Sequence, residues 1–163
     1  MYKNIKLTHN ILGEIMKIEH IMSKNLIIAD INSNIIDIAK TMQENDIGII
    51  PISQNNKIIG VLTDRDIVTK IISNNDNKIK NYINKTMITI DINQKLEEAI
   101  NLIGNNKIKR LLVTNNKKLV GILSISDIIH NIDEHLLVEN LKKIWEIYRN
   151  TSDNELKVNY FYL

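Results

Sequence analysis

The feature that most constrains this chain is an internal repeat with an offset of 61 residues. Residues Lys57 to Ile67 (KIIGVLTDRDI) and Lys118 to Ile128 (KLVGILSISDI) share one order of apolar, glycine and polar positions. Without gaps, residues 21–67 align with residues 82–128, and 13 of the 47 positions are identical. Composition alone would give roughly five identities, and solenoid repeats are shorter than this period. We therefore interpret the chain as two copies of one supersecondary unit.

Each copy predicts the element order β-α-β-β-α from its apolar periodicity and its turn residues. In the first copy, strands are predicted at Leu26–Ile28, Ile49–Ile52 and Ile58–Leu62, with one helix from Ile35 to Met42 and a second after Thr63. In the second copy, strands are predicted at Met87–Ile90, Arg110–Thr114 and Leu119–Leu123, with helices at Leu96–Ile103 and Ile125–Ile132.

A single unit of about 50–60 residues buries little surface when it stands alone. We therefore expect an α/β (α+β) fold in which the two repeats pack sheet to sheet with pseudo-two-fold symmetry. The predicted organisation is an N-terminal arm (1–16), a first repeat (17–73), a linker (74–78), a second repeat (79–132), and a C-terminal helix and tail (133–163).

Composition excludes several classes of function. The chain has 21 basic and 19 acidic residues, and this balance argues against a dedicated nucleic-acid binder. The longest apolar runs, such as 47–52, are far shorter than the ~20 residues of a membrane span. There is no cysteine, and the four histidines lack the spacing of metal ligands. We expect a cytoplasmic protein without a metal, a membrane segment or a catalytic site.

The repeated phrases, together with NDIGIIPI (Asn45 to Ile52) and NKIKRLLV (Asn106 to Val113), closely resemble a tandem pair of CBS domains, called a Bateman module. The resemblance covers roughly residues 17–132. It implies a regulatory module that binds an adenosine compound in clefts between the repeats and acts in trans on a partner protein. AMP, ADP or ATP is the expected ligand, and S-adenosylmethionine, NAD and cyclic di-AMP are alternatives. The resemblance also implies a homodimer.

Two equivalent motifs are the candidate binding residues, Thr63-x-x-Asp66 and Ser124-x-x-Asp127. Each begins a predicted helix, where backbone N–H groups and the helix dipole favour an anion. The resemblance implies that Asp66 and Asp127 hold the ribose. The predicted phosphate contacts are Thr63, Arg65, Ser124, Ser126, Lys109 and Arg110, the last two by resemblance to adenylate-binding repeats of AMP-activated protein kinase gamma subunits. The predicted adenine contacts are Ile27, Ile28, Ile50, Pro51, Ile88, Leu111 and Leu112.

The same motif is also an ordinary helix start, because Thr or Ser followed three residues later by an acidic residue forms a capping box. Likewise, Lys109 and Arg110 can be a solvated edge pair, and Arg65 can pair with Asp64. The second copy has Lys109 and Arg110 where the first has Gly48 and Ile49. We therefore favour the site of Asp127 if only one is occupied.

The sequence allows more than one function. A ligand-free CBS module used for dimerisation is the main alternative to a ligand sensor. Nucleic-acid binding is less favoured, since aromatic residues make up 4% of the chain. Residues 133–149 carry an apolar stripe and the one tryptophan, and this helix is predicted to pack on its own module, complete a homodimer or contact another protein.

Overall fold

The computed structural model describes residues 17–132 together with Leu137, Val138 and Asn140. Each repeat supplies one three-stranded sheet with accompanying helices, so the predicted α+β class is confirmed. The N-terminal arm and most of the predicted helix over 133–149 lie outside the described residues, although Leu137, Val138 and Asn140 are helical.

The element order follows the repeat. A short helix α1 (Ile18–Ile21) precedes the first copy. The first copy then forms β1 (Ala29–Asp30), α2 (Ile35–Glu44), β2 (Ile49–Gln54), β3 (Lys57–Thr63) and α3 (Asp64–Asp66). The second copy forms β4 (Thr89–Asp91), α4 (Leu96–Asn106), β5 (Arg110–Asn115), β6 (Lys118–Ser124) and α5 (Ile125–Asn131).

The two sheets have the same topology. In each sheet the first strand pairs in parallel with the second, and the second pairs antiparallel with the third. Two-residue turns close the hairpins, with positive φ at Asn55 and Asn56 and again at Asn116 and Lys117. Two successive positive φ angles characterise the type I′ turn, which matches the twist of the strands it joins. The two repeats therefore share the same hairpin turn geometry.

The predicted first strand at Leu26–Ile28 is wrong, because β1 begins only at Ala29. In the second copy, the amide of Leu112 donates to the carbonyl of Ile88, and β4 has three residues. The residue equivalent to Leu112 is Pro51, which has no N–H to donate to Ile27. The proline therefore shortens the parallel pairing, and β1 has two residues.

The helix after β3 is irregular in the first copy. It continues from α3 as a π-helix (Ile67–Ile71) and a 3-10 turn (Ile72–Asn74), whereas α5 is α-helical over its described length. Thr69 Oγ1 donates to the carbonyl of Arg65, and Ser73 Oγ donates to that of Thr69. Side chains that bond to carbonyls four residues earlier bend helices, which is consistent with the distortion here.

The predicted linker is held by a local polar cluster. Asp76 Oδ1 accepts the amides of Asn77 and Lys78, and Tyr82 Oη donates to Asp76 Oδ2 at 3.0 Å. These bonds outweigh a small desolvation effect and hold the pKa of Asp76 below its usual range. Tyr82 lies just after the 3-10 helix Ile79–Asn81, so the cluster ties the middle of the linker to the start of the second repeat.

Two compact units divide the chain, and their limits differ from those of the repeats. Unit A comprises residues 25–87. Unit B comprises, among the described residues, 17–24 and 88–132 with the three later positions. Ile79 and Ile83 are buried with the first repeat in unit A, whereas Ile18, Ile21 and Met22 are buried with the second repeat in unit B. Each repeat core is thus completed by the first residues of the other repeat.

Two glycines allow this arrangement. In unit A, Val61 and Asn84 exchange backbone hydrogen bonds of 3.0 and 2.9 Å, and Ser23 and Ile122 do the same in unit B at 2.9 and 3.0 Å. A Cβ on Gly60 would lie 2.5 Å from the Asn84 oxygen, and one on Gly121 would lie 2.8 Å from that of Ser23. Any side chain at these glycines would therefore push the crossing segment away.

We predict that Gly60→Ala destabilises the protein by about 1–3 kcal/mol, the usual cost of overpacking a core. The new methyl group would meet Ile83 Cγ2 and the Asn84 backbone oxygen. Gly104→Ala is the matched control, because a Cβ there has no neighbour within 4 Å and Ala favours a helix. Urea unfolding measures both variants. A Gly60→Ala protein as stable as the wild type would contradict the close approach.

Candidate functional site

Both predicted carboxylates occupy the third position of a helix and close a capping box. In unit A, the Thr63 hydroxyl accepts the amide of Asp66, while Asp66 Oδ2 accepts from the Thr63 amide (3.2 Å) and hydroxyl. In unit B, Asp127 Oδ2 accepts from the Ser124 amide (2.8 Å) and hydroxyl in the same way. The motif therefore fixes the position and orientation of each carboxylate.

The hydroxyl hydrogens of Thr63 and Ser124 are both donated to these carboxylates. A phosphate oxygen would need these same hydrogens as donors, and the carboxylates already accept them. Their role as phosphate contacts stays a prediction. The ribose role of the carboxylates also stays a prediction, but their rigid placement suits it.

Asp66 has a second strong partner. Its Oδ1 lies 2.5 Å from Lys70 Nζ, and its side chain is 12% exposed against 56% for the lysine. Burial raises the pKa of Asp66, but hydrogen bonds from Lys70 and Thr63 and the lysine charge outweigh this effect and lower the pKa overall. The carboxylate of unit A is thus ionised and already neutralised by its own chain.

The equivalent of Lys70 in unit B is Asn131, whose Nδ2 donates to the backbone carbonyl of Asp127 at 2.8 Å. Within the described part of the chain, no side chain is hydrogen-bonded to Asp127 Oδ1. One oxygen of this partly buried carboxylate is therefore open to a further donor.

The role of Lys70 was not predicted from the sequence, although a lysine four residues after an acidic residue on a helix is a known pairing signal.

The structure brings the two predicted cations of the second copy to the start of α5. Arg110 lies opposite Ser124 in the β5–β6 register, and the carbonyl of Lys109 accepts the Ile125 amide at 3.0 Å. Arg110 is half-buried and Lys109 is exposed. In unit A the same positions are Gly48 and Ile49, so the strand beside the start of α5 carries two basic residues that the equivalent strand of unit A lacks.

Arg65 and Ser126 occupy equivalent exposed positions in the first helical turn. The Arg65 amide donates to Asp64 Oδ1 at 2.7 Å. His130 Nδ1 lies 2.8 Å from the Ser126 carbonyl, an acceptor, so this nitrogen carries the hydrogen. Both positions lie within one residue of a capping carboxylate, and their phosphate roles stay predictions.

The predicted adenine contacts differ in accessibility. Ile50 and Leu111 are 0% exposed and pack inside the cores, so only their backbone can contact a ligand. Pro51 and Leu112 are also buried, on the opposite face of the strand. Ile27 and Ile88 are half-buried, and Ile28 is 45% exposed. The residues on the first strands thus offer the more accessible apolar side chains.

Over residues 17–132 and the three later positions, no three His, Asp or Glu side chains come together as a metal cluster. No helix in this same part of the chain is long and apolar enough to cross a membrane.

Two three-stranded sheets with a duplicated capping carboxylate define the class of protein. The family model described as the CBS domain matches residues 18–73 and 79–134, more than half of the chain. The chain therefore belongs to the CBS-domain family and carries two copies of that domain, as the sequence predicted.

Known relatives agree with this assignment. The chain is 32% identical over 111 residues to hypoxic response protein 1 of Mycobacterium tuberculosis, covering 65% of this chain and 78% of that protein. A crystal structure of Hypoxic Response Protein I with two coordinated zinc ions has a TM-score of 0.63 and 26% identity, covering 72% of this chain and 100% of the other.

A second solved structure is of a ligand complex. The CBS domain pair of protein MJ0100, in complex with 5′-methylthioadenosine and S-adenosyl-L-methionine, has a TM-score of 0.66 and 25% identity. It covers 71% of this chain and 94% of the other. A CBS pair similar to this chain therefore binds adenosine compounds.

We predict that Lys70→Met lowers stability at pH 7 and that this difference shrinks in acid. The folded-state pKa of Asp66 is depressed, so its contribution is present above the unfolded value of about 4 and is lost as pH falls through the folded value. Urea unfolding of both proteins from pH 7 to pH 3 measures the difference. Lys40→Met, on the exposed face of α2, is the control. A pH-independent difference would contradict the ion pair.

Proposed function

We propose that this protein is a regulatory module that binds an adenosine compound, with AMP, ADP or ATP as the expected ligand, and acts in trans on a partner protein. The observation that carries the proposal is the duplicated, rigidly capped carboxylate, with one oxygen of Asp127 that accepts no bond from the side chains of the described residues. The adenosine compounds bound by the CBS pair of MJ0100 support the same ligand class.

The chemistry fits a ribose. A ribose presents two adjacent hydroxyl groups, and an ionised carboxylate accepts hydrogen bonds without donating any. A hydrogen bond to a charged group contributes about 1.5–3 kcal/mol, and more of this is retained when the acceptor is already oriented. The capping bonds from Ser124 orient Asp127 before any ligand arrives, so little ordering is required on binding.

The site of Asp127 is the favoured one of the two. It combines a carboxylate oxygen that accepts no bond from a described side chain with two basic residues, Lys109 and Arg110, whose backbone lies at the same helix start. A phosphate attached to the ribose would be attracted by these charges. At Asp66, Lys70 is already paired with the carboxylate and the strand carries Gly48 and Ile49, so Arg65 on the helix itself is the predicted phosphate cation.

A regulatory role is proposed in preference to catalysis. The hydroxyls of Thr63 and Ser124 donate to the carboxylates that cap their own helices, and this is the arrangement of an ordinary helix start. Regulation requires that the ligand bind two states of the module with different affinities. We propose that such a difference is transmitted to a partner protein.

We predict that an adenosine ligand raises the melting temperature in a thermal-shift panel of AMP, ADP, ATP, S-adenosylmethionine, NAD and cyclic di-AMP. A ligand at 100 times its Kd stabilises by ~2.7 kcal/mol, which corresponds to roughly 5–11 °C for a protein of this size. A flat panel, from protein shown to carry no bound nucleotide, would instead support a ligand-free dimerisation module.

Single variants locate the site within the same panel. Asp127→Ala is expected to abolish most of the shift, whereas Asp66→Ala is expected to retain it. The melting temperature of each variant without ligand serves as its own reference, since both substitutions remove a capping box. A shift that persists in Asp127→Ala and disappears in Asp66→Ala would reverse the ranking of the sites.

We also propose that the protein forms a homodimer. Val68 and Ile72 are 61% and 62% exposed, and Ile129, the equivalent of Val68, is 40% exposed. Exposed apolar side chains on a helix after the sheet are consistent with an association surface.

Light scattering of the full chain is expected to give twice the mass of 18.8 kDa. Deleting residues 134–163 tests whether the C-terminal segment completes the dimer. An unchanged dimer would remove that role from the segment, and a monomeric full chain would contradict the dimer itself.

A further inference from the structure

The two capping carboxylates differ in one respect that the repeat does not predict. Their Oδ2 atoms accept the same pair of capping bonds in both units. Their Oδ1 atoms differ, because Asp66 Oδ1 is paired with Lys70 Nζ, whereas Asn131 contacts the carbonyl of Asp127. This difference lies at the atoms that a ribose would need.

The Lys70 contact is local to the helix. Lys70 lies four residues after Asp66 inside the π-helix Ile67–Ile71, where the Ile72 amide donates to the Ile67 carbonyl. The carboxylate is 12% exposed, so the ammonium is attracted to a charge that water screens only partly. The partners of this ion pair are already close in one helix, so forming it costs little entropy. A ligand loses translational and rotational freedom when it binds, and this loss opposes its binding at Asp66.

We infer that Lys70 is an internal occupant of the first candidate site: its ammonium holds Asp66 Oδ1 in competition with ribose hydroxyls, so that an adenosine ligand binds first at Asp127. Ribose hydroxyls and the ammonium both donate to the ionised carboxylate, but only the ammonium adds the attraction between two opposite charges. Binding at Asp66 must therefore displace or share the lysine, whereas binding at Asp127 displaces no side chain that the structure describes. This inference rests on the proposed function and ranks its two sites.

The exchange of the two equivalent residues tests the inference. Lys70→Asn gives unit A the residue of unit B, and Asn131→Lys does the reverse. Lys40→Asn is the control for loss of one exposed positive charge in unit A. Isothermal titration with AMP, and with adenosine as a probe without phosphate, measures the number of sites and their affinities on the full chain.

Wild-type protein is expected to bind one AMP tightly per chain, through Asp127. Lys70→Asn is expected to add a second site or tighten a weak one about twofold or more, and the added binding should disappear in the double variant Lys70→Asn with Asp66→Ala. Asn131→Lys is expected to weaken the Asp127 site about twofold, the effect of a lysine paired with an acidic residue four positions earlier on a helix. Adenosine should follow the same order as AMP.

A measurement without ligand separates the two proposals. Carbon-detected titration of the Asp66 carboxyl is expected to give a higher pKa in Lys70→Asn than in the wild type. If that pKa rises while AMP binding matches the wild type in affinity and site number, the inference is overturned and the proposed function stands. If the pKa does not change, the ion pair is absent and the inference is overturned as well. If no variant binds AMP or adenosine, both the inference and the proposed function are overturned.

Discussion

The close approach of backbone at Gly60 and Gly121 is the constraint on which the rest of the structure depends. At each glycine, the N-terminal segment of the other repeat runs so near to the third strand that a Cβ would meet its backbone oxygen. The contact aligns two backbone hydrogen bonds and brings buried isoleucine or methionine side chains onto each sheet. Without it, each core would lose part of its apolar cover, because the helices of the same repeat supply only the rest of it.

The third strands continue directly into the candidate sites. Thr63 and Ser124 end β3 and β6 and cap the helices that follow, so the capping carboxylates are fixed by the same strands that the glycines position. To close a capping box, the third residue of the helix needs only a side-chain oxygen that accepts the N-cap amide hydrogen. Many helix starts have such a residue. In this protein the box also leaves a carboxylate oriented at the helix start. Local stability and the proposed ligand binding therefore depend on the same atoms, and a substitution there is expected to affect both.

Much of the fold and part of the site could be predicted from the sequence. The β3 and β6 strands, the hairpin turns and the helix starts follow from local patterns, and each was found within one or two residues. The predicted strand at Leu26–Ile28 was wrong because its pairing requires a backbone N–H from the residue that lies opposite Ile27. That residue is Pro51, 24 positions later, and proline has no N–H. The π-helix after Asp66 was not predicted, since its apolar positions, Ile67 and Ile71, also suit an α-helix. The Lys70 contact was overlooked, although its spacing was visible.

By itself the sequence determined the duplication, the order of elements, the family and the identity of the two carboxylates, because each depends on residues close together in the chain. Tertiary structure decided which segment completes which core and which strand residues stay accessible. It also decided that Asp66 is neutralised by Lys70, while Asp127 Oδ1 accepts no bond from a described side chain. These outcomes depend on how close particular atoms come, and equal sequence motifs such as Thr63-x-x-Asp66 and Ser124-x-x-Asp127 do not encode that distance. The two candidate sites are therefore alike in motif and different in chemistry.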